Sequence, residues 1–201
     1  MEQEEGYKKI YRDLLKDLAK IDIAGSCANL GLVFNASGEA EIPFMGLIYK
    51  VSGQGVRRVD DQKFYESIGR VLIHYLKQAS KAKVAGQFVT FATLAGPLFK
   101  QGGYSASALE HPIVKQFGGR VPELLAVAER AGGHVGGEAG MGSVSLIFEL
   151  LPHIPIQLIF YNRDEEFPAR ATLLFDRNAT CFLEFEFLAV LVTIFVHRLC
   201  S

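Results

Sequence analysis

The chain has 201 residues, 49% of them hydrophobic and 21% charged, and its 21 Lys and Arg against 22 Asp and Glu leave a formal charge of -1. That composition excludes a disordered chain, and the balance of charge lacks the basic footprint with which a nucleic-acid binder displaces counterions. The length predicts one domain over residues 1–201, and a chain of this size buries roughly 70% of its extended surface without a disulfide framework.

Tyr7, Ile10, Tyr11, Leu14, Leu15 and Leu18 recur at the spacing of one helical face, with Lys8, Lys9, Arg12, Asp13, Lys16 and Asp17 on the other, which predicts an amphipathic opening helix. Gly25 and Gly31 break the pattern, and Leu32-Val33-Phe34 begins a strand. After a turn at Asn35 to Gly38, the segments Glu39 to Phe44 and Leu47 to Val51 alternate as half-buried strands do, with Pro43 and Gly46 marking an edge or bulge. A small antiparallel meander is expected there.

Asp60 or Asp61 is placed to cap a second helix, whose buried stripe is Phe64, Ile68, Val71, Leu72, Tyr75 and Leu76. Phe88 to Phe91 is a short apolar run of either type, and the Gly102-Gly103 pair terminates the element after it. Ser105 to Phe117 and Val121 to Ala131 again have helical spacing, with Pro122 suited to a first turn and Gly132-Gly133 to a C-terminal cap. Val144 to Leu151, Ile156 to Tyr161 and Ala171 to Phe175 read as strands.

The last element, about Phe185 to Leu199, is a helix apolar on nearly every side, so both faces require cover. It is the central helix of the domain or divides itself between the core and a homodimer interface. Helices and strands fall in runs instead of alternating. The fold class expected is therefore α+β, with largely antiparallel sheets packed against several helices and a buried C-terminal helix.

Cys27, Cys181 and Cys200 are odd in number and widely spaced, which fits a reducing cytoplasm better than a disulfide scaffold or a CxxC site. Met1 to Gly6 is acidic and lacks the pattern of a signal peptide. The longest apolar run, Phe187 to Val196, reaches about half of the roughly 20 residues that a membrane helix needs. A local basic excess between Lys50 and Lys83 reads as a solvated helix face.

The string Asn162-Arg163-Asp164-Glu165-Glu166-Phe167-Pro168-Ala169 is the most distinctive, followed by Leu174-Phe175-Asp176 and by Leu183-Glu184-Phe185-Glu186-Phe187-Leu188. With Leu151-Pro152-His153-Ile154-Pro155-Ile156, Gln116-Phe117-Gly118-Gly119 and Leu72-Ile73-His74-Tyr75-Leu76 upstream, it resembles a family of bacterial and archaeal proteins, mainly from anaerobes, catalogued as domain of unknown function 3786. The resemblance covers most of the chain and brings no assigned activity. Some relatives look like fusions with an iron-sulfur segment, which implies a setting in anaerobic redox or one-carbon metabolism. Three scattered cysteines cannot supply the four thiolates of an ordinary cluster, so a cluster would belong to an iron-sulfur partner protein.

Adjacent carboxylates at Asp164, Glu165 and Glu166 can split their pKa values into an acid and a base or hold a hard cation; the plainer reading is a polar turn that caps amides or pairs with Arg163 and Arg170. The histidines, His74, His111, His134, His153 and His197, show no HxxxH or HExxH spacing. His74 lies at the margin of an apolar stripe, and His153 sits in a loop that approaches the acidic trio if the strands are adjacent. The glycines from Gly132 to Gly142 match neither a Walker loop nor a dinucleotide fingerprint, and a plain loop is favoured over a lid or a close backbone approach. No GxSxG elbow is present.

The candidate ligand-binding residues are thus Asp164, Glu165, Glu166, His153 and His74, with no metal and no cofactor expected. Two function classes fit: a cytoplasmic ligand-binding or protein-interaction module, favoured because catalytic signatures are missing, and an enzyme of hydrolase or transferase type pairing a carboxylate of the trio with a histidine. A carboxylate and a histidine within hydrogen-bond reach in a cleft would favour the enzyme.

Overall fold

Tyr11, Leu14 and Leu18 are buried along one side of helix α1 (11–18) while Arg12, Asp13 and Lys16 stay in solvent, the amphipathic division expected of the opening helix. The structure, a computed structural model, describes residues 11–63, 66–96, 106–137, 140 and 142–201. Tyr7, Ile10, Phe64 and the Gly102-Gly103 pair lie outside the described residues. Where the spacing suggests a break at Gly25, the chain forms helix α2 (Ile23–Leu30). Asp22 is the reason: its Oδ1 accepts the Gly25 N–H at 3.0 Å, capping a helix that runs to a left-handed Gly31.

The meander is present, with four antiparallel strands in the order β1 (Val33–Phe34), β2 (Ala40–Phe44), β3 (Leu47–Ser52) and β4 (Gly55–Arg58). Asn35 starts it, its side-chain oxygen accepting the N–H groups of Ser37 and Glu39, both at 3.0 Å. β1 reaches only Ala40 and Glu41 of β2, so among the described residues Pro43 has no strand neighbour on that side. The basic excess is not a helix face: it is spread over this sheet and the loops, and of those residues only Arg70 and Lys77 lie on α3 (Glu66–Gln78). Arg57 donates to Glu39 at 2.6 Å, Lys50 sits 3.4 Å from Glu41, and Arg58 binds both Asp60 and Asp61. Asp60 and Asp61 therefore hold an arginine instead of capping α3, which begins several residues later.

The second sheet is antiparallel throughout, in the order β5 (Phe88–Thr90), β9 (Arg170–Asp176), β8 (Ile154–Tyr161), β7 (Ser143–Leu151) and β6 (His134–Val135). Helices α4 (Phe91–Ala95), α5 (Ala106–Phe117) and α6 (Val121–Arg130) lie between β5 and β6 in the chain. The run Phe88 to Phe91 divides between β5 and α4 at Thr90, whose hydroxyl caps the helix. Gly132 and Gly133 donate to Glu129 and Ala128 in the double hydrogen bond of a Schellman cap, as expected at the end of α6.

Period-two alternation decides which face of the second sheet is core. Ile154, Ile156, Leu158 and Phe160 are fully buried and stand beside Phe148 and Leu146 of β7 and Phe175, Leu173 and Ala171 of β9. Helix α8 (Phe185–Leu199) covers that face, with Phe195 edge-on to Phe148 at 4.9 Å, and packs against α3 and α5. It is the central helix: Leu188, Leu191, Val192, Phe195 and Leu199 are buried, Phe187 stacks on His74, and only a line through Glu186, Thr193 and His197 is exposed. Two antiparallel sheets with helices in separate runs make the protein α+β.

Asp176, at the end of β9 and fully buried, accepts the N–H groups of Ala85, Gly86 and Asn178. Asn178 in turn donates to the Lys83 carbonyl, and Gln78 donates to the carbonyls of Thr180 and Cys181 in α7 (Ala179–Phe182). The non-helical stretch after α3 is held by side chains from the far end of the sequence.

Candidate functional site

Tyr161 and Arg170 form the last pair of the β8–β9 ladder, so their side chains rise on the same face, away from α8. The Arg170 guanidinium lies over the Tyr161 ring, 4.8 Å from its centre. Residues 162–169 then return the chain from β8 to β9 and, with Gly142, enclose a cleft of about 670 Å³, of the size that holds a small ligand. Asn162 and Asp164 line one part of it, and Phe167, Pro168 and Ala169 another. Phe167 is 66% exposed, unusual for a phenylalanine with a core available to it.

The acidic turn is built around Asp164. Its Oδ1 accepts the N–H groups of Glu166 and Phe167 at 2.9 and 2.7 Å, and its own N–H donates to the Phe167 carbonyl. The plainer reading of the trio thus holds for Asp164, whose carboxylate closes the turn. It fails for the expected arginine pairs, because among the described residues neither Arg163 nor Arg170 takes part in an ion pair. Glu165 and Glu166 are exposed, and of the three only Asp164 lines the cleft.

Asn162 is fixed by the end of α5: its Oδ1 accepts the Gly119 N–H at 2.8 Å, which leaves its amide donors turned elsewhere. Gly119 has φ 83°, the left-handed region that favours glycine, and a Cβ there would stand 2.8 Å from Arg163 Nε, the movable end of an exposed side chain. A Cβ on Gly118 would sit 3.5 Å from Ala169. The strings Gln116 to Gly119 and Asn162 to Ala169, far apart in sequence, therefore meet at this cleft.

The glycine-rich segment makes a close backbone approach, the reading that its sequence favours less than a plain loop. A Cβ on Gly133 would collide with the Phe148 ring, and one on Gly137 would come within 2.6 Å of Gln157 Nε2. Beneath it, Gln157 donates to Ser145 at 2.8 Å and the Ser145 hydroxyl donates to the Gly136 carbonyl, all on the outer face of β7 and β8. Gly140 and the Ser143 hydroxyl that binds its carbonyl bring the segment to Tyr161, at the rim of the cleft.

Neither candidate histidine is there. β7 and β8 are indeed adjacent, but antiparallel pairing puts His153 in the turn before β8 and the acidic trio after it, about 23 Å away at roughly 3.3 Å per residue. His153 adopts φ 67°, its ring donates to the Leu30 carbonyl at 3.2 Å, and it stacks on Phe182 at 5.2 Å. His74 belongs to the same end, since its neighbour Tyr75 donates to the Pro152 carbonyl at 2.7 Å. It lies 3.6 Å from Phe187, ring on ring, and burial, with Lys77 nearby, holds its pKa below the usual histidine range. Burial likewise pushes the Tyr75 hydroxyl up.

Tyr161, Asn162, Phe167 and Arg170 are not among the candidates that the sequence suggests. The pairing of Tyr161 with Arg170 follows from aligning two period-two strands across the eight residues between them, and that signal is present in the sequence. Among the described residues no three His, Cys, Asp or Glu gather in a way that could hold a metal ion, and Cys27, Cys181 and Cys200 sit on three different helices or helix ends. No helix of the described residues is long and apolar enough to cross a membrane.

The fold and the cleft define an α+β protein with a ligand-sized recess at the open end of its larger sheet. The sequence model described as Domain of unknown function (DUF3786) matches residues 22–198, and the chain belongs to that family. No curated protein and no solved structure matches it.

Proposed function

We propose that the protein is a ligand-binding module, cytoplasmic and acting as an accessory in the anaerobic metabolism that the family resemblance implies, and that residues 161–170 form its ligand site. One observation carries this reading: Arg170 is stacked on Tyr161 at the mouth of a 670 Å³ cleft with no carboxylate partner among the described residues. A guanidinium pre-oriented by an aromatic face and left without a partner is arranged to recognise something other than its own chain. The carboxylate–histidine pair that would have favoured a hydrolase or transferase lacks the geometry, because His74 and His153 stand at the opposite end of β8.

The same proposal keeps the remaining expected partners: a homodimer, and an iron-sulfur protein that carries its own cluster, with neither nucleic acid nor membrane involved. Native mass spectrometry of freshly purified protein tests it. A co-purifying small molecule that disappears in Arg170→Ala supports the site; retention of that molecule by the variant places binding elsewhere, and a monomer at about micromolar concentration removes the dimer.

A further inference from the structure

The ligand class follows from which polar groups of the cleft are already engaged. Asp164 is the acidic side chain among its described lining residues, and its Oδ1 is occupied by two backbone N–H groups of its own turn. Asn162 has its acceptor occupied by Gly119, leaving two amide donors. The Tyr161 hydroxyl has no hydrogen-bond partner among the described residues, and the Arg170 fork has five donors and no acceptor. Among the described lining residues the groups left for a ligand are therefore mainly donors, and Arg170 is the charge not tied to the protein's own backbone. Phe167, Pro168 and Ala169 supply an apolar part of the lining, with an exposed ring.

We infer that the cleft binds a small carboxylate with a planar apolar body: the carboxylate on Arg170 and Asn162, the body against Phe167. This rests on the ligand-site reading above and deepens it. One anionic group is the number that fits. Arg170 offsets one charge, and Asp164 at the rim repels a second, which disfavours a polyphosphate. Binding by a planar fork is also what distinguishes a carboxylate from a neutral amide of the same shape, since only the former accepts two charge-assisted hydrogen bonds from Arg170.

The test is an NMR titration of the full chain with a size-matched set of aromatic carboxylates, amides and amines, anchored on 2-naphthoate and 2-naphthamide. The expected result is that 2-naphthoate shifts the amides of Asn162, Ala169 and Arg170 and binds about tenfold tighter than 2-naphthamide. Arg170→Gln should abolish that preference without changing the melting temperature, and Phe167→Ala should weaken both compounds alike. If amides or amines bind in the cleft as well as the carboxylates do, the ligand class is overturned and the site survives. If no compound of the set shifts cleft residues at millimolar concentration, both the class and the site are overturned.

Discussion

The two ends of β8 differ in what they do with polar groups. At the end before Ile154, the chemically suggestive side chains are engaged: His153 on Leu30 and Phe182, Tyr75 on Pro152, His74 on Phe187. At the end after Tyr161, the chain opens into a cleft where Tyr161 and Arg170, among the described residues, contact each other through ring and guanidinium without an ion pair, and Phe167 faces solvent. A residue type that suggests catalysis is weak evidence when burial and partners are unknown. Groups held in place yet left with donors to spare are the better sign of a site.

The largest effect is expected at the closed end. Phe182 is fully buried beneath His153, so Phe182→Ala should cost about 3–5 kcal/mol in urea unfolding. A loss below about 1 kcal/mol would show that this end is not closed packing. Removing one hydroxyl probes the same end more gently. Tyr75→Phe strands the Pro152 carbonyl and should cost about 1–2 kcal/mol, with 2-naphthoate binding unchanged at the other end.

Acidity should act on the closed end as well. His74 has its pKa lowered by burial, with Lys77 and Arg70 adding to this and Glu184 opposing it. The unfolded chain then binds a proton at a higher pH than the folded one, so stability is complete above about pH 6.5 and falls as the pH drops toward the folded pKa. His74→Gln should flatten the profile between pH 7 and 5; an identical slope in the variant would assign the loss to other groups. Glu39, held low first by Arg57 and then by Asn35, adds a further loss only at more acidic pH, as the medium falls through its depressed folded pKa.

The smallest effects on stability belong to the open end. Phe167→Ala and Arg170→Ala should change unfolding free energy by no more than about 0.5 kcal/mol, because both side chains are exposed. A large destabilisation by either would mean that the cleft is part of the core, and the contrast between the two ends would fail.

Much of the architecture is legible from spacing. The bounds of α8, the meander, the three long strands and the cap at Gly132-Gly133 follow from periodicity and local turn chemistry. The elements that spacing misses depend on distant partners. Gly55-Val56-Arg57-Arg58 has no strand signature by itself and becomes β4 because it lies along β3, with Arg57 reaching Glu39. Asp60 and Asp61 look like caps until Arg58 is seen beside them. The candidate site is half legible: the turn at Asp164 stands out in the sequence, but its carboxylates and the histidines draw the eye, while the free donors lie on residues flanking the turn.

The Asp176 clamp carries a consequence for the covalent chain. Lys81 and Lys83 lie in an exposed stretch that follows α3, yet the residues on either side of them are sewn to 176–181 by Gln78, Asp176 and Asn178. A single tryptic cut there would sever the peptide but not the molecule. The two fragments should remain associated through a gel-filtration column and separate only in denaturant, because α3 also packs against α8 across the cut, and Asp176→Ala should lower the denaturant concentration at which they part. Connectivity at that point is supplied by the shared core and these hydrogen bonds as much as by the backbone.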